Sequence, residues 1–295
     1  MPPARRAPRR AFSRVAVVGV GLVGGSIGLA LKARGLASHV AGVTLDAREA
    51  RAALRARAID TGGTDLAAGL AGAEVVVLAA GVSALPALAR EALALAGESA
   101  LVTDVGSVKR AVASAAGRDP RFVPGHPMAG SEKRGVEHAH PELFDGTVAV
   151  LTPIFSAPWA VARATRFWRA LGARVVRMSP RDHDERAAAA SHAPYAVAAG
   201  IAAALSDRAG ILAARGFRDT TRVAASDPAL WTSILLENSD AVGRALGAFR
   251  GSLREIERAI RSGDPRALST RLARAARARS RRVSETSLSS SAKST

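Results

Sequence analysis

Two histidines and one glycine-rich turn carry most of the chemistry in this chain. His126 stands in Gly125-His126-Pro127-Met128-Ala129-Gly130-Ser131-Glu132-Lys133, between a glycine and a proline. A turn of that composition holds an imidazole rigidly, and a pKa near neutrality suits the ring to proton transfer. His192 follows in Ser191-His192-Ala193-Pro194. Far upstream, Gly19-Val20-Gly21-Leu22-Val23-Gly24 fits G-x-G-x-x-G. In such a fingerprint the first glycine makes the turn after a strand and the second lets backbone approach a pyrophosphate. The third lets the next helix pack closely, with its N-terminus facing the phosphates. Gly19, Gly21, Leu22 and Gly24 are therefore the expected cofactor contacts. A dinucleotide site together with two such histidines reads as a dehydrogenase that also moves a proton.

An acidic residue is expected about 20 residues further on, at the end of the second strand, to bind the ribose hydroxyls. That position is Thr44, with Asp46 two residues later and Arg48 and Arg51 nearby. Asp46 pointing inward favours NAD, because a carboxylate repels a 2′-phosphate. Thr44 with the arginines suits NADP, and Asp46 as the cap of a helix over 47–57 is an equal alternative. The cofactor is thus NAD or NADP, with NAD favoured. Asp104-Val105-Gly106-Ser107-Val108-Lys109 follows the fourth strand expected below, at the edge where open α/β sheets bind ligands. Ser107 either donates to a substrate hydroxyl or nicotinamide group, or caps a helix starting at Val108.

The elements that must position these residues follow from the apolar pattern. Short apolar runs alternate with helix-length segments from Arg14 onward, which predicts a doubly wound parallel sheet. Strands are expected at Val15–Val18, Val40–Val43, Val75–Ala79, Leu101–Thr103 and Phe122–Val123. Val148–Leu151 and Arg174–Arg177 are expected to extend the same sheet. Val23, Ile27 and Leu31 recur at helical spacing between the first two. Past Pro180 strand signals stop and Ala-rich helical periodicity takes over, with a helix start at Asp227-Pro228. The fold class is α/β: an N-terminal Rossmann-type domain over 14–180, then an all-α substrate and dimerisation domain over 181–282. Basic residues 1–13 and Ser-rich residues 283–295 are expected to be disordered tails.

The net charge is +17, but the ends hold +12 of it: five arginines in residues 1–14, and nine basic against two acidic residues in 261–295. Aromatics are 4% of residues, too few to stack single strands, so no nucleic-acid role is expected. Arg9-Arg10 before the apolar run at Val15–Leu31 imitates an export signal, yet strand, glycine turn and helix explain that run better. No run of 18 apolar residues predicts a membrane span. Cysteine is absent, which removes disulfides and thiol chemistry and fits a cytoplasmic protein. No histidine grouping reads as a metal site.

Several motifs together resemble the prephenate/arogenate dehydrogenase family of tyrosine biosynthesis. They are the glycine fingerprint, D-V-G-S-V-K at 104–109, G-H-P-M-A-G-S-E-K at 125–133 and M-S-P-R-D-H-D at 178–184. S-H-A-P-Y at 191–195 and G-F-R-D-T-T-R at 216–222 complete the set. The resemblance covers about residues 14 to 280. It implies oxidative decarboxylation of prephenate or arogenate by hydride transfer to NAD(P), in a homodimer. It implies that His126 accepts the hydroxyl proton, Ser107 orients that hydroxyl, and Arg222 binds a substrate carboxylate. Glu132 would pair with Arg222 and gate the pocket, and His192 would line it. His183 matches a position contributed across the dimer. Tyr195 stands where many relatives carry a second histidine, so the choice between keto and amino substrate stays open. Two alternatives compete: a β-hydroxyacid-type Rossmann dehydrogenase, which needs a lysine in the helical domain, and a non-enzymatic dinucleotide-sensing regulator. Lys293 is the one lysine after Ser179.

Overall fold

The computed structural model describes residues 11–291. Residues 1–10 and 292–295 of the two expected tails lie outside the described residues. The chain runs β1 (Phe12–Val18), α1 (Leu22–Ala33), β2 (Ala37–Val43), α2 (Ala47–Arg55), β3 (Thr61–Gly63), α3 (Leu66–Leu70) and β4 (Val75–Leu78). It continues through α4 (Leu85–Leu95), β5 (Leu101–Asp104), α5 (Arg110–Ala115), β6 (Phe122–Val123), β7 (Gly125–Pro127) and β8 (Val148–Leu151). Then come α6 (Pro158–Ala170), β9 (Arg174–Arg177), α7 (Pro180–Ala187), α8 (Ala193–Ala204), α9 (Asp207–Gly210), α10 (Arg215–Thr221) and α11 (Pro228–Glu237). The helices α12 (Ser239–Arg261) and α13 (Pro265–Ser291) end it.

Six strands form one parallel sheet in the order β3-β2-β1-β4-β5-β6. The order reverses between β1 and β4, and such a switch point opens a crevice beyond the carboxyl ends of the strands. Both faces of the sheet are covered, so its strands read as continuous apolar runs rather than alternating ones. In β1, Val15 and Val17 join Ile27, Leu31, Phe167 and Trp168 on one face. Ala16 and Val18, pointing the other way, join Val76, Leu78, Leu85 and Leu93.

Three differences from the expected elements have physical causes. β8 and β9 do not extend the main sheet; they form a second sheet, β7-β8-β9, in which β7 is antiparallel to β8. The short strand β7, hidden inside the glycine-proline stretch, pairs with β8 instead. Phe12, expected in a disordered tail, lies in β1 and is buried edge-on against Phe167, ring centroids 5.7 Å apart. At the other end, α13 continues as far as Ser291, into the Ser-rich segment expected to lack structure.

The helical part begins at Pro180, and Asp227 caps α11 by accepting from the Ala229 and Leu230 amides. Residues up to Ser239 belong to one compact unit and those from Asp240 to another, made of α12 and α13. No helix among the described residues is long and apolar enough to cross a membrane.

Candidate active site

The glycine turn is built as its sequence demands. Gly19 leaves β1 at φ 90°, where an added Cβ would stand 2.4 Å from the Ala79 carbonyl oxygen. At Gly24 a Cβ would meet the Gly19 carbonyl oxygen at 1.9 Å, so α1 can approach its own turn only with glycine there. Gly21 differs: a Cβ would meet nothing within 4 Å. Its backbone faces open space at the N-terminus of the twelve-residue helix α1. That is the geometry a pyrophosphate needs, room against exposed amides with a favourable helix dipole.

Asp46 lies just past β2, where it caps α2. Its Oδ1 accepts from the Arg48 and Glu49 amides at 2.7 and 2.9 Å, which lowers its pKa. Oδ2 keeps only a distant ion pair with Arg48, at 3.9 Å. Thr44 is buried and donates to the Asp46 carbonyl at 2.8 Å.

The carboxyl end of β5 anchors a buried polar cluster. Asp104 and Lys109 form a fully buried ion pair. Lys109 Nζ also donates to the Gly125 carbonyl at 2.6 Å, while Asp104 Oδ1 accepts from the Gly125 amide at 3.1 Å. Both backbone groups of the residue preceding His126 are thereby tied to β5. Burial pulls the Lys109 ammonium below its usual range, and Asp104 opposes that pull. The helix after this loop starts at Arg110, so Ser107 caps nothing; its half-buried side chain sits in the loop itself.

His126 therefore stands on a strand rather than in the expected turn, opposite Val150 of β8. Its Nδ1 is 2.8 Å from His183 Nε2, and His183 Nδ1 is 2.8 Å from Asp184 Oδ1. Asp184 is held in turn by the Lys109 amide at 2.8 Å and by the Arg110 amide and Nε at 3.0 and 3.2 Å. All three side chains are buried. A carboxylate can only accept, so His183 donates from Nδ1, and a ring with that single proton accepts at Nε2. His126 then donates from Nδ1, and its Nε2 carries a lone pair. Burial, helped by the charges that His183, Lys109 and His192 would present, holds the His126 pKa well below its usual range. The ring is neutral and able to accept a proton. His183, which the resemblance assigned to a position across a dimer, hydrogen-bonds His126 of the same chain.

His192 is buried at the end of a π-helical turn, Ala188–His192, between α7 and α8. Its Nδ1 is 3.2 Å from Asn238 Nδ2, and burial lowers its pKa to about 4. Pro194 falls in the first turn of α8, and Tyr195 one residue on stacks flat on Trp231, ring centroids 3.8 Å apart. Glu132 and Arg222 pair as expected, at 3.3 Å, but both are substantially solvent-exposed.

Of the expected residues, the structure thus links His126 with His183 and Glu132 with Arg222, and places Tyr195 beside His192 on the Trp231 ring. Sequence reasoning missed Asp184, Lys109, Asn238 and Trp231. Asp184 and Lys109 had a signal, as charged residues inside the motifs at 178–184 and 104–109. Asn238 had none, since at the end of α11 it looks like an ordinary helix terminus.

Comparison with known proteins agrees with this geometry. The nucleotide-binding domain of prephenate dehydrogenase matches residues 27–177, and the prephenate dehydrogenase dimerization domain matches residues 179–274. A prephenate dehydrogenase of Bacillus subtilis is 35% identical over 257 residues, covering 83% of this chain and 68% of that protein. The cyclohexadienyl dehydrogenase of Zymomonas mobilis is 33% identical over 86% of this chain and 90% of its own length. Among solved structures, Aquifex aeolicus prephenate dehydrogenase in complex with hydroxyphenyl propionate and NAD+ superposes with a TM-score of 0.83. That match is 30% identical and covers 94% of this chain and 99% of that one. Synechocystis arogenate dehydrogenase gives 0.78 at 30% identity, over 91% of this chain and 99% of its own. With a glycine turn at the sheet's switch point and both domain models matched, the chain belongs to the prephenate dehydrogenase family.

Proposed function

We propose that this chain catalyses the NAD(P)-dependent oxidative decarboxylation of a cyclohexadienol, either prephenate or its amino counterpart arogenate, in tyrosine biosynthesis. The observation that carries this reading is the Asp184–His183–His126 chain, which leaves Nε2 of a buried, neutral imidazole as the proton acceptor. When bound, the nicotinamide supplies the hydride acceptor. The Gly19–Gly24 turn, Leu22 and the N-terminus of α1 would hold its pyrophosphate.

His126 Nε2 takes the ring hydroxyl proton, and the Ser107 hydroxyl orients that oxygen. As hydride leaves the carbinol carbon, the C–C bond to the ring carboxylate breaks and CO2 departs. The ring becomes an aromatic phenol, so the step is strongly downhill. Arg222 receives a substrate carboxylate in its guanidinium fork, a well-shaped partner for one. Glu132 occupies that fork while substrate is absent, and so gates it. His192 and Tyr195 line the substrate's side-chain end. NAD is the preferred cofactor, because the half-exposed Asp46 carboxylate just past β2 disfavours a 2′-phosphate. The family's dimerization domain over 179–274 supports a homodimer. A purely dinucleotide-sensing role leaves the buried histidine relay without a task.

Nicotinamide absorbance with prephenate and arogenate, each with NAD and NADP, tests this directly. Turnover of one of the two substrates, faster with NAD, is expected. No turnover in any of the four combinations overturns the assignment.

A further inference from the structure

Asn238 closes α11, is fully buried, and has no part in the chemistry above. Its carboxamide can face only one way. The Asp184 main-chain carbonyl, 2.8 Å from Nδ2, can only accept; the Arg110 guanidinium, 3.4 Å from Oδ1, can only donate. Nδ2 therefore carries the hydrogens, one going to Asp184. The other is directed at His192 Nδ1, 3.2 Å away. A ring nitrogen that receives a hydrogen carries none of its own, so the imidazole proton lies on Nε2. We propose that Asn238 is a positioning residue that fixes His192 as the neutral Nε2–H tautomer, making it a hydrogen-bond donor to substrate rather than a second base.

The two site histidines are then set in opposite senses by two different partners. Asp184, through His183, gives His126 an Nδ1–H and a basic Nε2. Asn238 gives His192 a bare Nδ1 and a donating Nε2. One ring removes a proton and the other steadies a substrate oxygen, so the two do not compete for the same hydrogen. Asn238 also joins the two systems. It holds the carbonyl of Asp184 itself, and Arg110 reaches both Asp184 and Asn238. The titratable groups that act on His192 are His183 and Asp184, His192 in turn acts on His126, and Arg110 reaches it only through Asn238. Burial and His183 keep the ring neutral, with Asp184 opposing them. Partners of this kind, one step from the reacting groups, typically contribute 10- to 100-fold to activity where they fix a histidine tautomer at a metal site. The same logic applies here.

The proposal rests on the function above only for the identity of the substrate. Its test is the 1H–15N spectrum of the imidazoles in the full-length protein without substrate, His192 being assigned by its disappearance in His192→Gln. The wild type is expected to show a protonated Nε2 and a bare Nδ1 across about pH 5 to 8. Asn238→Asp puts an acceptor-only carboxylate against Nδ1. It is expected to move the proton there, to let His192 charge at higher pH, and to lower kcat/KM about 10- to 100-fold, mainly through KM. Adding His192→Gln to that variant should cost little more. A wild-type proton on Nδ1, unchanged His192 resonances in Asn238→Asp, or fully additive losses in the double variant overturn the proposal. If Asn238→Asp fails to fold, the wild-type spectrum alone decides. Because the spectra need no turnover, failure with both prephenate and arogenate would sink the functional reading and leave this one standing on its own result.

Discussion

The two halves of the site are built on opposite principles. The half proposed to handle the proton is a lattice of buried groups: Asp104, Lys109, Asp184 and His183, each held by at least two partners, with His126 hydrogen-bonded to His183 at its end. The half proposed to recognise substrate charge is a single ion pair, Glu132–Arg222, with side chains 38% and 64% exposed. A buried polar network is costly to break because any orphaned member stays desolvated. An exposed pair contributes about 0–1 kcal/mol and exchanges partners easily. On the proposed roles the base is built to stay in place and the carboxylate clamp to let go, and burial is the variable that separates the two.

Substitutions on the two sides should accordingly differ in kind. The largest effect is expected for His126→Asn, which keeps a polar group of similar size but removes the basic nitrogen. Its kcat should fall roughly 10²- to 10⁴-fold with KM little changed. Near-normal kcat in a folded variant would make His126 structural and break the comparison at its centre.

Next comes Lys109→Ala, which strands the Asp104 carboxylate in a dry site. A loss of about 3–5 kcal/mol in unfolding free energy is expected from denaturant titration. A loss under about 1 kcal/mol would mean that the lattice is wetter than its burial indicates.

Acid should undo the buried side in a defined window. Burial takes His192 from 6.5 in the unfolded chain to about 4 when folded, and moves His126 in the same direction. The unfolded chain therefore binds protons first. The stability held by the neutral rings is complete above about pH 6.5 and drains away as pH falls toward 4. For His192 alone the loss between pH 6.5 and pH 5 is about 2 kcal/mol. Carboxylates with lowered pKa, such as Asp184, lose their contribution only below their unfolded value of 3.8. Unfolding curves at several pH values should show a shallower acid loss in His192→Gln, and equal slopes would contradict the burial of this ring.

The smallest effect on the fold belongs to the exposed side. Arg222→Ala should change unfolding free energy by less than about 1 kcal/mol, while KM rises on the order of 10-fold with kcat nearly kept. Equal losses of kcat and kcat/KM would instead place Arg222 in the transition state, and the contrast between clamp and base would have to be redrawn.

The same contrast explains what could be read from the sequence. The main sheet was legible because strands buried on both faces leave continuous valine-rich runs, as at Val75–Leu78. The glycine fingerprint was legible because steric rules at Gly19 and Gly24 admit little else. The short β7 was not, since three residues containing glycine and proline carry no strand period. The pairing of β8 with β7 rather than with β6 depends on contacts remote in sequence. Asp46 showed two uses, and its Oδ1 takes the local one, capping α2, while Oδ2 is left for the other. The groups behind His183 escaped because a buried aspartate and an exposed one look alike in a string of letters. Only Lys109 and Asp184, caught inside longer motifs, were even within the stretches singled out.

The π-helical turn at Ala188–His192 has a consequence best put as register arithmetic. A π turn takes up one residue more than an α turn, and each helical residue rotates the chain by about 100°. Without that surplus residue, α7 and α8 would form one continuous helix of the same composition. Everything from His192 onward would then be turned by about 100° relative to His183 and Asp184. His192 would leave Asn238, and Tyr195 would leave the Trp231 ring. A single codon thus separates a plain alanine-rich helix from one that keeps His192 on Asn238 and Tyr195 on the Trp231 ring.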